Sequence, residues 1–183
     1  GLEPLANIIM LQMLKTPLAE EAANYISEEK EVLTAEDAIA GAKDIIAEMI
    51  PDDADYRTKI RDLTVKKGRL LSAAKDKEAE SVYEMYYEYD EAISKVAGHR
   101  TLAINRGENE KILTVKIEAP VEDIIAYLEK KIIVHEGECA DAIKEAIADA
   151  YDRLIAPSIE REIRNDLTEK AEDGAIKVFG KNL

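Results

Sequence analysis

The chain has 183 residues, and its net charge is -14 because 39 acidic side chains outnumber 25 basic ones. This charge opposes attraction to nucleic acid or anionic membranes, and the single cysteine, Cys139, excludes an internal disulfide framework and an all-cysteine metal site. No apolar run approaches the ~18 residues of a spanning helix and no signal pattern opens the chain, so we expect a cytoplasmic protein with no membrane partner.

Helical periodicity runs through most of the chain and predicts a mainly α protein, a multi-helical bundle with one or two short strands. The clearest helix covers Ala35 to Ile50, where Thr34 can cap the first amides, Asp37 stands at the capping-box position and Pro51 follows the end. Its apolar positions predict one buried face, formed by Ala38, Ile39, Ala42, Ile45, Ile46 and Met49.

A second helix is predicted directly after the first. Asp52 or Asp53 can cap it, and its apolar positions include Ile60 and Leu63. Gly68 is a suitable left-handed residue to end it. Because the connection is short, we expect the two helices to pack as a hairpin.

A basic segment coincides with this second helix. Thirteen residues carry a local charge of +5, with Asp62 opposed to Arg57, Lys59, Arg61, Lys66, Lys67 and Arg69. If any surface of the chain binds phosphate, this segment is the first choice. The alternative is a solvated helix face whose basic groups pair with acidic neighbours.

Four of the eight tyrosines follow within seven residues, at positions 83, 86, 87 and 89. Aromatic side chains can stack on the bases of single-stranded nucleic acid. The i, i+3 and i+4 spacing of Tyr83, Tyr86 and Tyr87 instead favours one helical face packed in the core or in an interface.

One segment changes to a period of two. From Ile112 to Glu118, apolar and polar residues alternate, which predicts a strand. A single strand leaves its backbone groups unpaired, so it needs a partner. The region from Leu70 to Ala74 is one candidate, and a segment outside this chain is the other.

Helical patterns return after Pro120. They predict helices over 121–133, 139–156 and 158–180, with Pro157 separating the last two and Ser158 capping the last. The last helix carries an apolar stripe almost to the chain end, formed by Ile159, Ile163, Leu167, Ala171, Ala175, Val178 and Phe179. This stripe predicts a contact with a further domain.

The sequence offers no convincing catalytic or metal site, and it implies no cofactor. His135 and Cys139 are four residues apart, but Gly137 lies between them and no second pair of ligands accompanies them. Asp141, Glu145 and Asp149 follow at i, i+4 and i+8, as on an exposed helix face. A glycine motif for phosphates is also missing.

Several spaced segments resemble the Tex family of bacterial transcription accessory proteins. The longest is Asp149–Leu183, and shorter ones are Gly1–Ala6, Ala38–Glu48 and the motif His99–Glu108. The motif itself predicts a short helix capped by Gly107, with Arg100 and Arg106 available for salt bridges or phosphates. A structural role for this motif is favoured over ligand contact.

The resemblance implies that the chain is a fragment, the helical central region of a Tex-like protein, which ends where an RNase H-like domain would begin. We expect helical hairpins over 1–98, a short helix and a strand over 99–119, and long helices over 120–183. The implied function is a non-catalytic scaffold, with RNA or DNA bound through other domains, chiefly an S1 domain, and the transcription machinery as a further candidate partner. A protein interaction module and a metal-dependent nuclease remain the alternatives.

Overall fold

The computed structural model describes the backbone of residues 1–181 and the side chains of residues 1–176. The protein is mainly α with a small antiparallel sheet, as predicted. The α-helices are α1 Glu3–Leu11, α2 Leu18–Ala23, α3 Ala35–Met49, α4 Ala54–Lys67, α5 Gly98–Asn109, α6 Val121–Ile132, α7 Glu138–Asp149 and α8 Ala156–Lys181. No helix of the described residues is both long and apolar enough to cross a bilayer.

The chain divides into two compact units, each built from two separate segments. The first unit contains residues 1–58 and 122–157, and the second contains residues 59–121 and those from 158 onward. This division differs from the predicted succession of 1–98, 99–119 and 120–183. Sequence periodicity detects local elements, whereas a unit is defined by contacts between segments distant in the chain.

In the first unit, α3 packs against α1, α2 and α7. Its N-terminus has the predicted cap, since the Asp37 amide donates to Thr34 Oγ1 at 3.0 Å. The buried stripe runs through Ala38, Ala42 and Ile46. Met49 was predicted to be buried but is exposed, because the helix turns Ala47 toward the core instead. The largest fully buried side chains of this unit are Leu5, Ile9, Ile46, Ile124, Leu128, Ile143, Ile147 and Ile155.

A buried glutamine joins the ends of two helices in this unit. Gln12, in a left-handed conformation at the end of α1, donates from Nε2 to the Ile132 carbonyl at 2.8 Å. Its Oε1 accepts from the amides of Val134 at 2.8 Å and His135 at 3.3 Å. One side chain therefore satisfies a carbonyl at the C-terminus of α6, where the last carbonyls lack helical partners, and two amides of the segment that follows.

The predicted break at Pro157 is wrong. A π-helical turn, Ala150–Ile155, leads directly into α8, with Pro157 in the first turn of that helix. Proline lacks an amide hydrogen and is tolerated near a helix start. The wider π turn marks a local change in the hydrogen-bond pattern at that point, so the chain continues without a loop and Ser158 is not a cap.

The second unit contains a three-stranded antiparallel sheet of order β2-β1-β3, with β1 Arg69–Ala74, β2 Glu88–Ala92 and β3 Leu113–Glu118. In β1 and β3, Leu70 pairs with Ile117 and Ala74 with Leu113. The predicted strand and its partner within the chain are thus confirmed.

Residues 69–92 differ from the helical hairpins expected over 1–98. The tyrosine segment forms a 3-10 turn, Glu84–Tyr86, followed by β2. Tyr83 and Tyr86 are nevertheless buried, so the preference for packing over base stacking is confirmed at those two positions. Tertiary pairing with β1 overrides the helical spacing of the tyrosines.

Two glycines act differently from the prediction. Gly68 ends α4 without a left-handed conformation, but a Cβ there would lie 2.3 Å from the Thr64 carbonyl oxygen and 2.9 Å from Ile93 Cδ1. Gly107 lies within α5 rather than capping it, and a Cβ would lie 2.5 Å from Leu113 Cδ1. Both glycines are required by close approach of neighbouring elements.

In the second unit, the apolar stripe of α8 is buried at Ile159, Ile163 and Ala171. Ala175 and Ile176 are exposed. The predicted continuation through Val178 and Phe179 lies outside the side chains that the structure describes. The proposed contact with a further domain therefore stays a prediction.

Candidate functional site

The predicted basic segment lies on α4 and at the start of β1, and its binding to phosphate stays a prediction. Arg57, Lys59, Arg61, Lys66 and Lys67 lie on α4, and Arg69 begins β1. Lys59 and Lys66 are seven residues apart and lie on one helix face, on which Asp62 stands between them. Their positive charge is thus adjacent to a carboxylate.

Two arginines of the basic segment are engaged with acidic side chains. Arg61 contacts Asp166 and lies 3.8 Å from Glu162, both on α8. Arg69 pairs with Asp90 across the sheet. Arg57 and Lys67 also have interaction partners. Acidic partners, as in the alternative interpretation of this segment, are therefore present at Arg61 and Arg69.

Arg100, at the start of α5, is part of a cluster with β2. Its Nη1 lies 3.6 Å from Glu91 Oε2, and the Tyr89 hydroxyl donates to the same carboxylate. Burial and the hydrogen bond to Glu91 raise the pKa of Tyr89 to about 12. The hydrogen bond to Tyr89, followed by attraction to Glu91, raises the pKa of Arg100. Arg106 is exposed on α5 and lies outside this cluster.

The motif His99–Glu108 has a structural partner that sequence reasoning missed. Arg164 on α8 donates to Glu108 Oε1 at 2.7 Å and to Asn105 Oδ1 at 3.0 Å. Asn105 Nδ2 in turn donates to Thr168 Oγ1 at 2.9 Å. We call these four residues the α5–α8 network.

The α5–α8 network lies next to a close helix contact. A Cβ on Gly98 would lie 3.1 Å from the Ala171 Cα, so the N-terminus of α5 closely approaches α8. The signal that could have revealed the network is the spacing of its members. Asn105 and Glu108 are at i and i+3, and Arg164 and Thr168 are at i and i+4, so each pair shares a helix face.

His135 and Cys139 line a small cavity of about 70 Å³ together with Gln12 and Thr16. Burial, followed by the charge of Glu138, raises the pKa of the Cys139 thiol, which opposes the thiolate form that binds metals. Within the described part of the chain, no group of three or more candidate ligands converges on a metal position.

The structure therefore defines a mainly α protein in which several basic side chains, Arg61 and Arg164 among them, and the motif His99–Glu108 take part in internal contacts. A family model described as Tex central region-like matches residues 15–179, and the chain belongs to this family.

Relatives extend the match over the whole chain. YdcI of Bacillus subtilis (strain 168) is 53% identical over 187 residues, which cover 100% of this chain and 26% of that protein. S1 RNA-binding domain-containing protein 1 of Homo sapiens is 30% identical over 93% of this chain and 19% of its own length. The transcriptional accessory protein Tex of Neisseria gonorrhoeae is 28% identical over 100% and 25%. The chain spans between 19% and 26% of the length of these relatives.

Proposed function

We propose that this chain is a non-catalytic helical scaffold within a longer transcription accessory protein, and that it orients RNA-binding or DNA-binding modules located elsewhere in that protein. The names of two relatives, an S1 RNA-binding domain protein and a transcriptional accessory protein, support nucleic acid as the partner. The short share of each relative that the chain covers supports binding modules outside it. The transcription machinery is a further proposed partner, and a cytoplasmic location accords with these names.

The α5–α8 network is the observation that carries this proposal. Polar side chains of this kind can form a ligand site, but here Arg164 donates hydrogen bonds to Glu108 and Asn105. Residues held by each other in this way fix the geometry of two helices. A region that must hold binding modules at set distances needs such rigid contacts.

The carboxylates of α7 support the non-catalytic part of the proposal. Glu145 pairs with Lys43 and Asp149 with Arg153, and both acids are exposed or half-exposed. The hydrogen bond from Arg153 lowers the pKa of Asp149, which keeps this group an unprotonated ion-pair partner. A nuclease would instead need carboxylates that converge on divalent metal in a cleft.

The scaffold role can be tested in a longer relative, such as YdcI of Bacillus subtilis. The part that matches this chain is replaced by a flexible glycine-serine linker with the same number of residues. Binding is then measured for a short oligonucleotide that fills one module and for a long one that reaches several. We expect the short ligand to bind as before and the long ligand to bind about 100-fold more weakly, because fixed spacing raises effective concentration.

The short oligonucleotide serves as the internal control, since its unchanged affinity shows that the modules remain folded. Equal affinity of the long ligand for both proteins would contradict the scaffold role. Loss of the short ligand as well would indicate that this region contributes binding residues itself. Failure of intact YdcI to bind any nucleic acid would contradict the proposed partner.

A further inference from the structure

The outer edge of β2 presents unpaired backbone groups. The Ala74 amide donates to the Tyr87 carbonyl and the Ile93 amide to the Gly68 carbonyl, each at 3.1 Å. Because hydrogen-bonded pairs alternate along antiparallel strands, Tyr89 and Glu91 also face β1. The amides of the intervening residues, Glu88, Asp90 and Ala92, therefore point away from the sheet.

The opposite edge of the sheet, formed by β3, is partly covered. On β3 the outward amide of Ile117 donates to Glu160 Oε1 at 2.9 Å, so a side chain from α8 covers part of this edge. Among the hydrogen bonds of the described residues, none covers the outward amides of Glu88, Asp90 or Ala92. No residue of β2 is buried. The β3 edge of the sheet is thus partly covered, whereas the β2 edge can still pair with another strand.

The charge around β2 selects the partner. Residues 76–91 contain seven acidic side chains and one basic one. Asp90 and Glu91 pair with Arg69 and Arg100, whereas Glu84 is exposed near the start of the strand. Pairing of β2 with the same strand of a second copy would place like charges opposite each other, which is destabilising. A basic segment would instead place opposite charges across from each other, which is favourable.

Exposed apolar side chains precede the strand. Val82 is 85% exposed and Met85, in the 3-10 turn Glu84–Tyr86, is 68% exposed, and both precede β2 in the chain. An added strand can bury this apolar surface, and this contact would add to the main-chain hydrogen bonds.

We propose that the outer edge of β2 is a docking site for an extended, lysine- or arginine-rich segment of a partner protein, which adds to the sheet as a fourth strand. This inference goes beyond the scaffold role, because it gives the region a binding surface of its own. The backbone groups of Glu88, Asp90 and Ala92 supply affinity, and the surrounding carboxylates supply specificity.

The probe is a synthetic peptide of about eight alternating lysine and valine residues, blocked at both ends, so that all lysines lie on one face of the added strand. Amide resonances of the isotope-labelled protein are followed during titration, together with hydrogen exchange. We expect the amides of Glu88, Asp90 and Ala92 to exchange rapidly in the free protein and to become protected by the peptide. A lysine-proline peptide of equal charge should not protect them, because proline cannot complete the ladder.

Two variants separate pairing from charge. Ala92→Pro removes one outward amide at a position whose φ of -57° suits proline, and we expect weaker binding by about tenfold, whereas Ala92→Ser retains the amide and the affinity. Glu84→Lys with Glu88→Lys should also weaken binding by about tenfold. Glu169→Lys with Glu172→Lys changes the net charge equally on exposed positions of α8 and should leave binding unchanged.

Several results would overturn the proposal. These are protection of the three β2 amides before peptide is added, peptide-induced shifts confined to other residues, and equal affinity of the lysine-proline peptide. If Ala92→Pro unfolds the protein, as judged by its amide spectrum, the lysine variants still decide, since a charge-independent affinity would contradict the proposed specificity.

Discussion

At the level of single residues, arginines with similar contacts contribute differently according to their burial. Arg164 is 19% exposed and joins Glu108 and Asn105, whereas Arg153 is 47% exposed and pairs with Asp149 one helical turn away. Solvent screens the second pair, and holding it in place costs side-chain entropy. The first pair has less contact with water and connects residues distant in the sequence.

We expect Arg164→Ala to lower the free energy of unfolding by about 1.5–3 kcal/mol, because it leaves Glu108 and Asn105 without a charged donor. Arg153→Ala is the matched control and should cost much less, because solvent screens the pair of Arg153 with Asp149. Denaturant unfolding, monitored by circular dichroism, measures both values. Equal and small losses in the two variants would show that the α5–α8 network contributes little to stability.

At the level of elements, the sequence predicted the helices well and the sheet only in part. The capped helix α3 and the alternating strand β3 carry strong local patterns, and both are confirmed. The strand β2 was missed because Tyr83, Tyr86 and Tyr87 repeat at helical spacing, while the pairing of β2 with β1 joins separate segments that local periodicity does not connect. The break predicted at Pro157 was wrong for a related reason, because residue spacing does not reveal the π turn that precedes this proline.

The contact between α5 and β3 can be tested at its closest point. We expect Gly107→Ala to destabilise the protein by about 1–3 kcal/mol, because the new Cβ meets Leu113 Cδ1 at 2.5 Å and Leu113 is fully buried. The control is Gly174→Ala on α8, where no heavy atom lies within 4 Å of the new Cβ. That substitution should stabilise the helix by about 0.8–1 kcal/mol, as alanine is the better helix former.

Thermal and denaturant unfolding of the two glycine variants give the comparison directly. Opposite signs support the close approach of α5 and β3 as the reason for glycine at position 107. A stabilising effect of Gly107→Ala would contradict it, since the side chain of Leu113 would then have space to move.

At the level of the whole molecule, the resemblance of several spaced segments to the Tex family carried the functional prediction, and the family is confirmed. The net charge of -14 indicated weak attraction to phosphate. The positions of the candidate basic residues could be read from the sequence, but their partners could not, because Glu162 and Asp166 lie about a hundred residues from Arg61. The α5–α8 network was missed for the same reason, although its spacing is visible once α5 and α8 are known to meet.

The central claim is that this region orients nucleic-acid-binding modules and does not itself bind nucleic acid. Titration of the chain with labelled single-stranded and double-stranded RNA and DNA near physiological salt tests it most directly. We expect any binding to be non-specific and weak, with a Kd no lower than about 10⁻⁶ M. Sub-micromolar binding with a steep salt dependence, lost when Arg57, Lys59, Lys66 and Lys67 are neutralised together, would contradict the claim and make the basic segment the site.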